Sequence, residues 1–409
     1  MFVKLNNKHM PISNVYFVYW LILLIWQNFQ EYAIMSVYDI TIKVSLIIFF
    51  FYELSYAGKL KITTDKLFWY FLLCFSTIIT FMNDDIYITF RTVITYFYPI
   101  LYMFYIYIIG EEFEISGKEY NNFLKLVVFS DLYMSIYSFL FKSFYFTSIF
   151  SISMAYGNAC SSFLVSNHEY GMYLLFGIAA CLYLISENTN SKKIYYICLF
   201  VFFINLIVTY SRTSQISALS FLIVNLLLNK NKKKKIIIVL VISAIILSLI
   251  SFSIKTYILD IIIRPDKNAG RFELWNYALY QWENGNWLRK LWGHGWGIQS
   301  ITLIEYGHKS VHNAFLQLLL TYGICGLTLM IMPIIFSIKD SINILRINRR
   351  KGIYFLSLII AMFFLMFSNT AILFSSPIDS FMMTSFCIVL PKFYYNNIKR
   401  LHNEAISKV

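Results

Sequence analysis

Charge is scarce in this sequence. Only 13% of its 409 residues are Asp, Glu, Lys or Arg, against 59% hydrophobic and 19% aromatic. A soluble domain carries roughly a quarter of its residues as charge, because its surface must face water, so a soluble globular chain is excluded. Cysteine is also sparse. The six (74, 160, 181, 198, 325 and 387) lie mostly in or beside apolar runs and form no C-x-x-C pair, so they read as small packing residues rather than ligands or a disulfide frame. The glycines of Leu291-Trp292-Gly293-His294-Gly295-Trp296-Gly297 follow no strand and have no βαβ context, which excludes a dinucleotide fingerprint. They read instead as a turn that brings the chain back over the helices. Lys4 and Lys8 precede an apolar stretch with no small-residue cleavage site after it, so that stretch is expected to be the first retained span.

Long apolar runs are abundant. A bilayer core of about 30 Å needs roughly 20 apolar residues per helix, and lipid admits only helices or closed barrels. The run 235–254 (KIIIVLVISAIILSLISFSI) lacks the alternation of a barrel strand, so helices are expected. Spans are predicted at 15–30, 38–57, 67–82, 90–109, 122–141, 170–186, 194–210, 212–228, 236–254, 312–337, 353–372 and 376–392, about 12 in all. The chain is therefore expected to be an all-α, polytopic membrane protein, with 1–409 as a single helical domain. The net charge of +13 does not point to nucleic acid, because the basic residues sit in alternate loops. Lys59, Lys61, Lys66, Lys118, Lys192, Lys193, Lys230, Lys232–Lys235, Lys339 through Lys351 and the tail's Lys399, Arg400 and Lys408 share one side, and the short outer loops hold little beyond Arg91, Lys142 and Arg212. By the positive-inside rule both termini are predicted to be cytoplasmic. One long external loop, 255–311, breaks the rhythm, and long loops are disproportionately functional.

The residues that could carry chemistry gather on the outer side. Arg212 lies in Tyr210-Ser211-Arg212-Thr213-Ser214 at the mouth of two spans. An arginine there either snorkels to the interface or lines a polar cavity. The surrounding hydroxyls favour an anion site, since guanidinium offers a planar fork matched to phosphate oxygens. Arg271 opens a stretch in which Phe272, Trp275, Ala278 and Leu279 recur at helical spacing. That pattern predicts an amphipathic helix on the membrane surface with Arg271 at its N-terminus, where free N–H groups favour anions. Arg264 and His294 lie in the same loop. His308 and His312 are four apart, but no Glu follows the first and no third ligand is evident, so no metal is expected. His312 and Asn313 open an apolar helix with Gln317 on its next turn; His312 is either an interfacial residue or a proton carrier. Arg91 is a further external arginine, and Asp131, Glu169 and Asp379 are acidic residues near apolar runs that could pair with an arginine.

Three motifs together resemble the bacterial O-antigen polymerase/ligase family, which includes capsular polysaccharide polymerases. They are Tyr210-Ser211-Arg212-Thr213-Ser214-Gln215; Gly270-Arg271-x-x-Leu274-Trp275 with Gly293-x-Gly295-x-Gly297; and His312-Asn313-Ala314-Phe315-Leu316-Gln317 with Tyr322-Gly323-Ile324-Cys325-Gly326. The resemblance covers roughly residues 205–335. It implies a GT-C-like membrane glycosyltransferase of the bacterial inner membrane, opening outward and needing neither metal nor other cofactor. Donor and acceptor would be polyprenyl-pyrophosphate-linked oligosaccharides, with a chain-length regulator and a flippase as partners. On that reading Arg212 and Arg271, with Arg91, clamp the pyrophosphate, and His312 activates the acceptor hydroxyl. Tyr210, Arg264, Trp275, His294, His308, Asn313 and Gln317 are the substrate-binding candidates. Trp275, Trp292 and Trp296 either stack on sugars or anchor the loop in headgroups. Polymerase is favoured over ligase. The rival from another class is a lipid-linked-oligosaccharide flippase, which would place ionisable residues at mid-membrane; Lys43 is the main such charge, and the other candidates gather at one face.

Overall fold

The computed structural model describes residues 117–141, 161–162, 164, 167–187, 192–209, 211–228, 271–295, 311–368 and 382–406, with scattered helical residues between Phe71 and Met82. Every regular element among the described residues is helical. In chain order they are α1 (Gly117–Phe141), α2 (Asn167–Ser186), α3 (Lys192–Val208), α4 (Arg212–Leu228), α5 (Arg271–Asn284), α6 (Trp287–Trp292), α7 (Ala314–Ile347), α8 (Arg349–Ser368) and α9 (Leu390–Ile406). A π-helical turn, Ser385–Val389, leads into α9.

Four of these helices are long and apolar enough to cross a membrane: α1, α2, α7 and α8, with α4 a shorter apolar helix. α2 is apolar on all sides and buried along nearly its whole length, as expected of a helix at the centre of a bundle. It packs between α1, α3 and α4, while α8 packs against α4 and α7. Rings fill the middle, where Phe176 of α2 stacks on Phe386 of the π turn with centroids 4.8 Å apart. A π turn displaces carbonyls from the regular ladder, and the Ser337 hydroxyl of α7 donates to the carbonyl of Cys387 there.

Charge separates the two ends of the bundle. Helix C-termini leave carbonyls without intrahelical partners and attract cations. Arg350 donates to the last carbonyl of α2, at Ser186, over 2.9 Å, and Arg349 to the last carbonyl of α4, at Leu228, over 3.3 Å. Lys351 lies 3.7 Å from Glu187 and over the rings of Tyr183 and Tyr394. Lys118 and Lys192 begin α1 and α3 at this same end, since Tyr120 meets Tyr183 there. α2, α4 and α7 all start from the other end.

The spans predicted at 122–141, 170–186, 194–210, 212–228 and 353–372 each coincide with a helix to within a few residues. Those at 15–30, 38–57, 90–109 and 236–254 lie outside the described residues. Two boundaries are corrected. The span placed at 312–337 runs on to Ile347, so Lys339 and Arg346 ride on helix, and only Asn348 separates α7 from α8. The span placed at 376–392 has helix from Met382 through Ile406, carrying the expected polar tail with it.

Candidate functional site

The site end is built from helix starts. α2 and α4 begin side by side, and Asn167 ties them by donating to the Thr209 carbonyl over 2.8 Å. Ser211 is the N-cap of α4, because its carbonyl receives the Gln215 N–H at 3.0 Å, and its own N–H donates to Thr209 Oγ1 at 3.2 Å. The Ser211 hydroxyl stands 3.0 Å from His168 Nδ1 and 2.9 Å from Ser214 Oγ. An imidazole and two hydroxyls thus fill the seam between two helix N-termini, next to Arg212. The N–H dipoles at such ends favour an anion.

The seam closes only because position 171 has no side chain. A Cβ on Gly171 would stand 2.5 Å from Ser214 Oγ and 2.7 Å from Ser214 Cβ. Gly171→Val is therefore expected to push the start of α4 away from α2 and part the two serines. Overpacking of this kind costs about 1–3 kcal/mol, read as a lower unfolding temperature in detergent. Gly117→Val, where nothing lies within 4 Å, should leave it unchanged.

Arg271 opens α5. One turn further along α5, the Trp275 indole N–H donates to the Val311 carbonyl over 3.1 Å. Leu274 and Ala278 pack with Val311 and Leu320. This corrects the face assigned from sequence spacing: Leu274 and Ala278 point inward, whereas Phe272 and Leu279 are 54% and 37% exposed.

His312 follows at that joint with φ 52, a left-handed conformation uncommon for a non-glycine residue. Its neighbours hold it there. Gln317 Oε1 receives the Val311 N–H at 3.4 Å, and Asn313 Oδ1 caps α7 by receiving the N–H groups of Phe315 and Leu316 at 3.0 and 3.1 Å. His312 thus precedes the helix, and His308, four residues before it in sequence, lies outside the described residues. Gln317 is buried, with its amide nitrogen donating to Thr321 Oγ1 at 3.4 Å.

The glycine run is a wedge against a broken helix. α7 is interrupted at Gly323, with φ 65 and ψ −168. Gly293 leaves α6 with φ 82, and the N–H groups of His294 and Gly295 donate to the carbonyls of Leu320 and Thr321 at 2.8 and 3.1 Å. The turn over the helices expected here is present, and it buries His294.

Arg271, Trp275, His312, Asn313 and Gln317 are thus linked through α5 and the start of α7, and Arg212 stands at the start of α4 beside α2. Arg91, Arg264, Tyr210 and His308 lie outside the described residues. Asp131 is not at this end; it is buried in α1 beside Ser130, against Gly177 of α2. Residues 197–331 match a family model described as O-antigen ligase. Over those residues the chain is similar to that family. The match covers about a third of the chain, from within α3 to within α7, and includes Arg212, Arg271 and His312. No curated protein matches the sequence.

His168 was missed from sequence. It lies outside the matched residues, in a polar stretch otherwise marked by serine. The signal was a histidine at the start of an apolar run on the same side as Arg212. Its bond to Ser211, 43 residues on, depends on tertiary packing.

Proposed function

We propose that this protein works as its match to the O-antigen ligase family suggests, transferring a glycan from a polyprenyl-pyrophosphate carrier to a hydroxyl acceptor at the external face of the membrane. The observation that carries this reading is the pairing of the α2 and α4 starts, where His168 Nδ1 stands 3.0 Å from the hydroxyl of Ser211, the N-cap of α4 beside Arg212. A pyrophosphate calls for fixed cations and helix N-termini, and Arg212 at the start of α4 with Arg271 at the start of α5 supports that reading. As the bond from the anomeric carbon to the phosphate oxygen breaks, the leaving pyrophosphate gains negative charge. Fixed cations stabilise that charge more effectively than solvent does. Arg212 and Arg271 are the clamp, with Arg91 and Arg264 as further candidates. His312, presented by a strained turn at a helix start, is the base that takes the acceptor proton. Trp275 and Gln317 position that turn, and the exposed Phe272, Tyr280 and Trp287 rest among headgroups.

Transfer onto the next lipid-linked repeat, making a polymerase, is the primary reading. A ligase, which hands the glycan to lipid A core or protein, is the second, favoured by the description of the matching family model. The test uses purified protein in liposomes with lipid-pyrophosphate-linked repeat units as both donor and acceptor. A ladder of lengthened glycans, absent with His312→Ala, supports polymerase. Product only after a core-lipid acceptor is added means ligase. Intact units moved across the bilayer, with neither product, overturn the enzyme reading in favour of a flippase.

A further inference from the structure

The chain reverses sharply between α3, which ends at Val208, and α4, which starts at Arg212. Within the reversal the Thr209 hydroxyl donates to the Leu206 carbonyl at 2.7 Å and receives the Ser211 N–H at 3.2 Å. The Gln215 side-chain amide donates to the same Leu206 carbonyl at 3.2 Å. These local bonds join α3 to α4 without fixing where the pair stands in the bundle. The reversal is also held from outside, by the first turn of α2. Asn167 Nδ2 donates to the Thr209 carbonyl at 2.8 Å, His168 Nδ1 stands 3.0 Å from Ser211 Oγ, and the Ser214 hydroxyl donates back to the His168 carbonyl at 3.5 Å. Thr209, Ser211 and Ser214 are buried, where a polar group loses more by going unpaired than it gains by pairing. Arg212, among them in sequence, is exposed. Buried bonds thus peg the helix start, and an exposed guanidinium stands on it.

We propose that Asn167 and His168 are positioning residues of the donor site, whose side chains set where α4 begins and thereby hold Arg212 in register with the pyrophosphate. This rests on the clamp reading of Arg212, and it extends the site to a helix outside residues 197–331. A guanidinium fork must meet phosphate oxygens in both position and angle, and a misplacement of about 1 Å can cost roughly 100-fold in rate. Truncating Asn167 takes a donor from the buried Thr209 carbonyl, and truncating His168 takes a partner from the buried Ser211 hydroxyl. In either case the start of α4 shifts to recover a bond, and Arg212 shifts with it. His168 acts through its hydrogen bond to Ser211 and exchanges no proton with substrate.

The experiment is steady-state glycan transfer by the full chain in liposomes, run as a double-mutant cycle. Asn167→Ala and His168→Ala are each expected to lower kcat about 10- to 100-fold. KM should change less than about threefold, because the leaving pyrophosphate gains its charge only in the transition state. In an Arg212→Ala background the same two changes should cost less than about twofold more, since what they position is gone. His168→Asn, whose amide falls near the Nδ1 position, should recover most of the kcat lost in His168→Ala and keep the wild-type pH profile. If Asn167→Ala does not fold, His168→Ala and His168→Asn decide the matter by the same cycle. Losses that persist at full size beside Arg212→Ala overturn the positioning role. So does full activity in both alanine variants, or a His168→Asn variant as slow as His168→Ala. An Arg212→Ala variant with wild-type transfer overturns the underlying clamp reading instead.

Discussion

Replacing Arg212 and Arg271 together by alanine is expected to lower glycan transfer about 1,000-fold or more, with little change in the fold. One fixed donor to a developing anionic charge contributes roughly 100- to 1,000-fold in rate. Two that grip one pyrophosphate act as a unit, so their losses will not simply multiply. The fold should survive because neither side chain belongs to the core. Arg212 is exposed on the first turn of α4, and α5 is held by Leu274, Ala278 and the Trp275 bond to Val311. Arg→Lys at either site should recover only part of the rate, since an ammonium cannot make the paired contacts of a guanidinium. The measurement is the initial rate of glycan lengthening in liposomes, beside the unfolding temperature of each variant. A stable double variant with full activity would falsify the clamp.

The sequence made the bundle legible because lipid imposes a crude rule. A helix of the right length must be apolar, and runs such as 170–186 and 353–372 meet that rule with no knowledge of their neighbours. The charge pattern was legible for the same reason: Lys118, Lys192 and Arg349 through Lys351 all sit at helix ends, where position along the chain alone fixes which end is which. Helix ends were less legible. The extension of α7 to Ile347 carries Lys339 and Arg346 on helix, and a hydropathy rule stops where charge begins.

Arg212, Arg271 and His312 stood out as candidates because each lies at or just before a helix start beside polar residues. What joins them could not. The Trp275 indole reaches Val311 across 36 residues and His168 reaches Ser211 across 43, and neither distance leaves a periodic trace. The face of α5 was misjudged for a related reason. Its exposed side is as aromatic as its buried one, so spacing alone could not tell Phe272 from Leu274.

Gly293→Val is expected to have the largest effect on stability, and to take the site with it. The carbonyls of Leu320 and Thr321 sit just before the break at Gly323, where the helix cannot supply its usual donors. The N–H groups of His294 and Gly295 do so instead. The two chains approach so closely that a Cβ on Gly293 would collide with the Thr321 carbonyl, and one on Gly323 with the Leu291 carbonyl. Both collisions are with backbone, which cannot rotate aside. Both glycines also have left-handed φ, 82 and 65, where a β-branched residue adds its own strain. Backbone strain, the collision and two undone bonds to buried carbonyls together cost about 4 kcal/mol or more, a large share of a typical folding free energy. The damage should reach His312, because only the turns from Asn313 to Gly323 separate the wedge from that residue. Gln317, which holds the Val311 turn, is bonded to Thr321, whose carbonyl the wedge engages. Wedge and site thus form one cooperative unit. Limited proteolysis in liposomes should show new cleavage between residues 285 and 295 in Gly293→Val, together with lost transfer. New cleavage with transfer intact would show that the start of α7 holds its shape without the wedge.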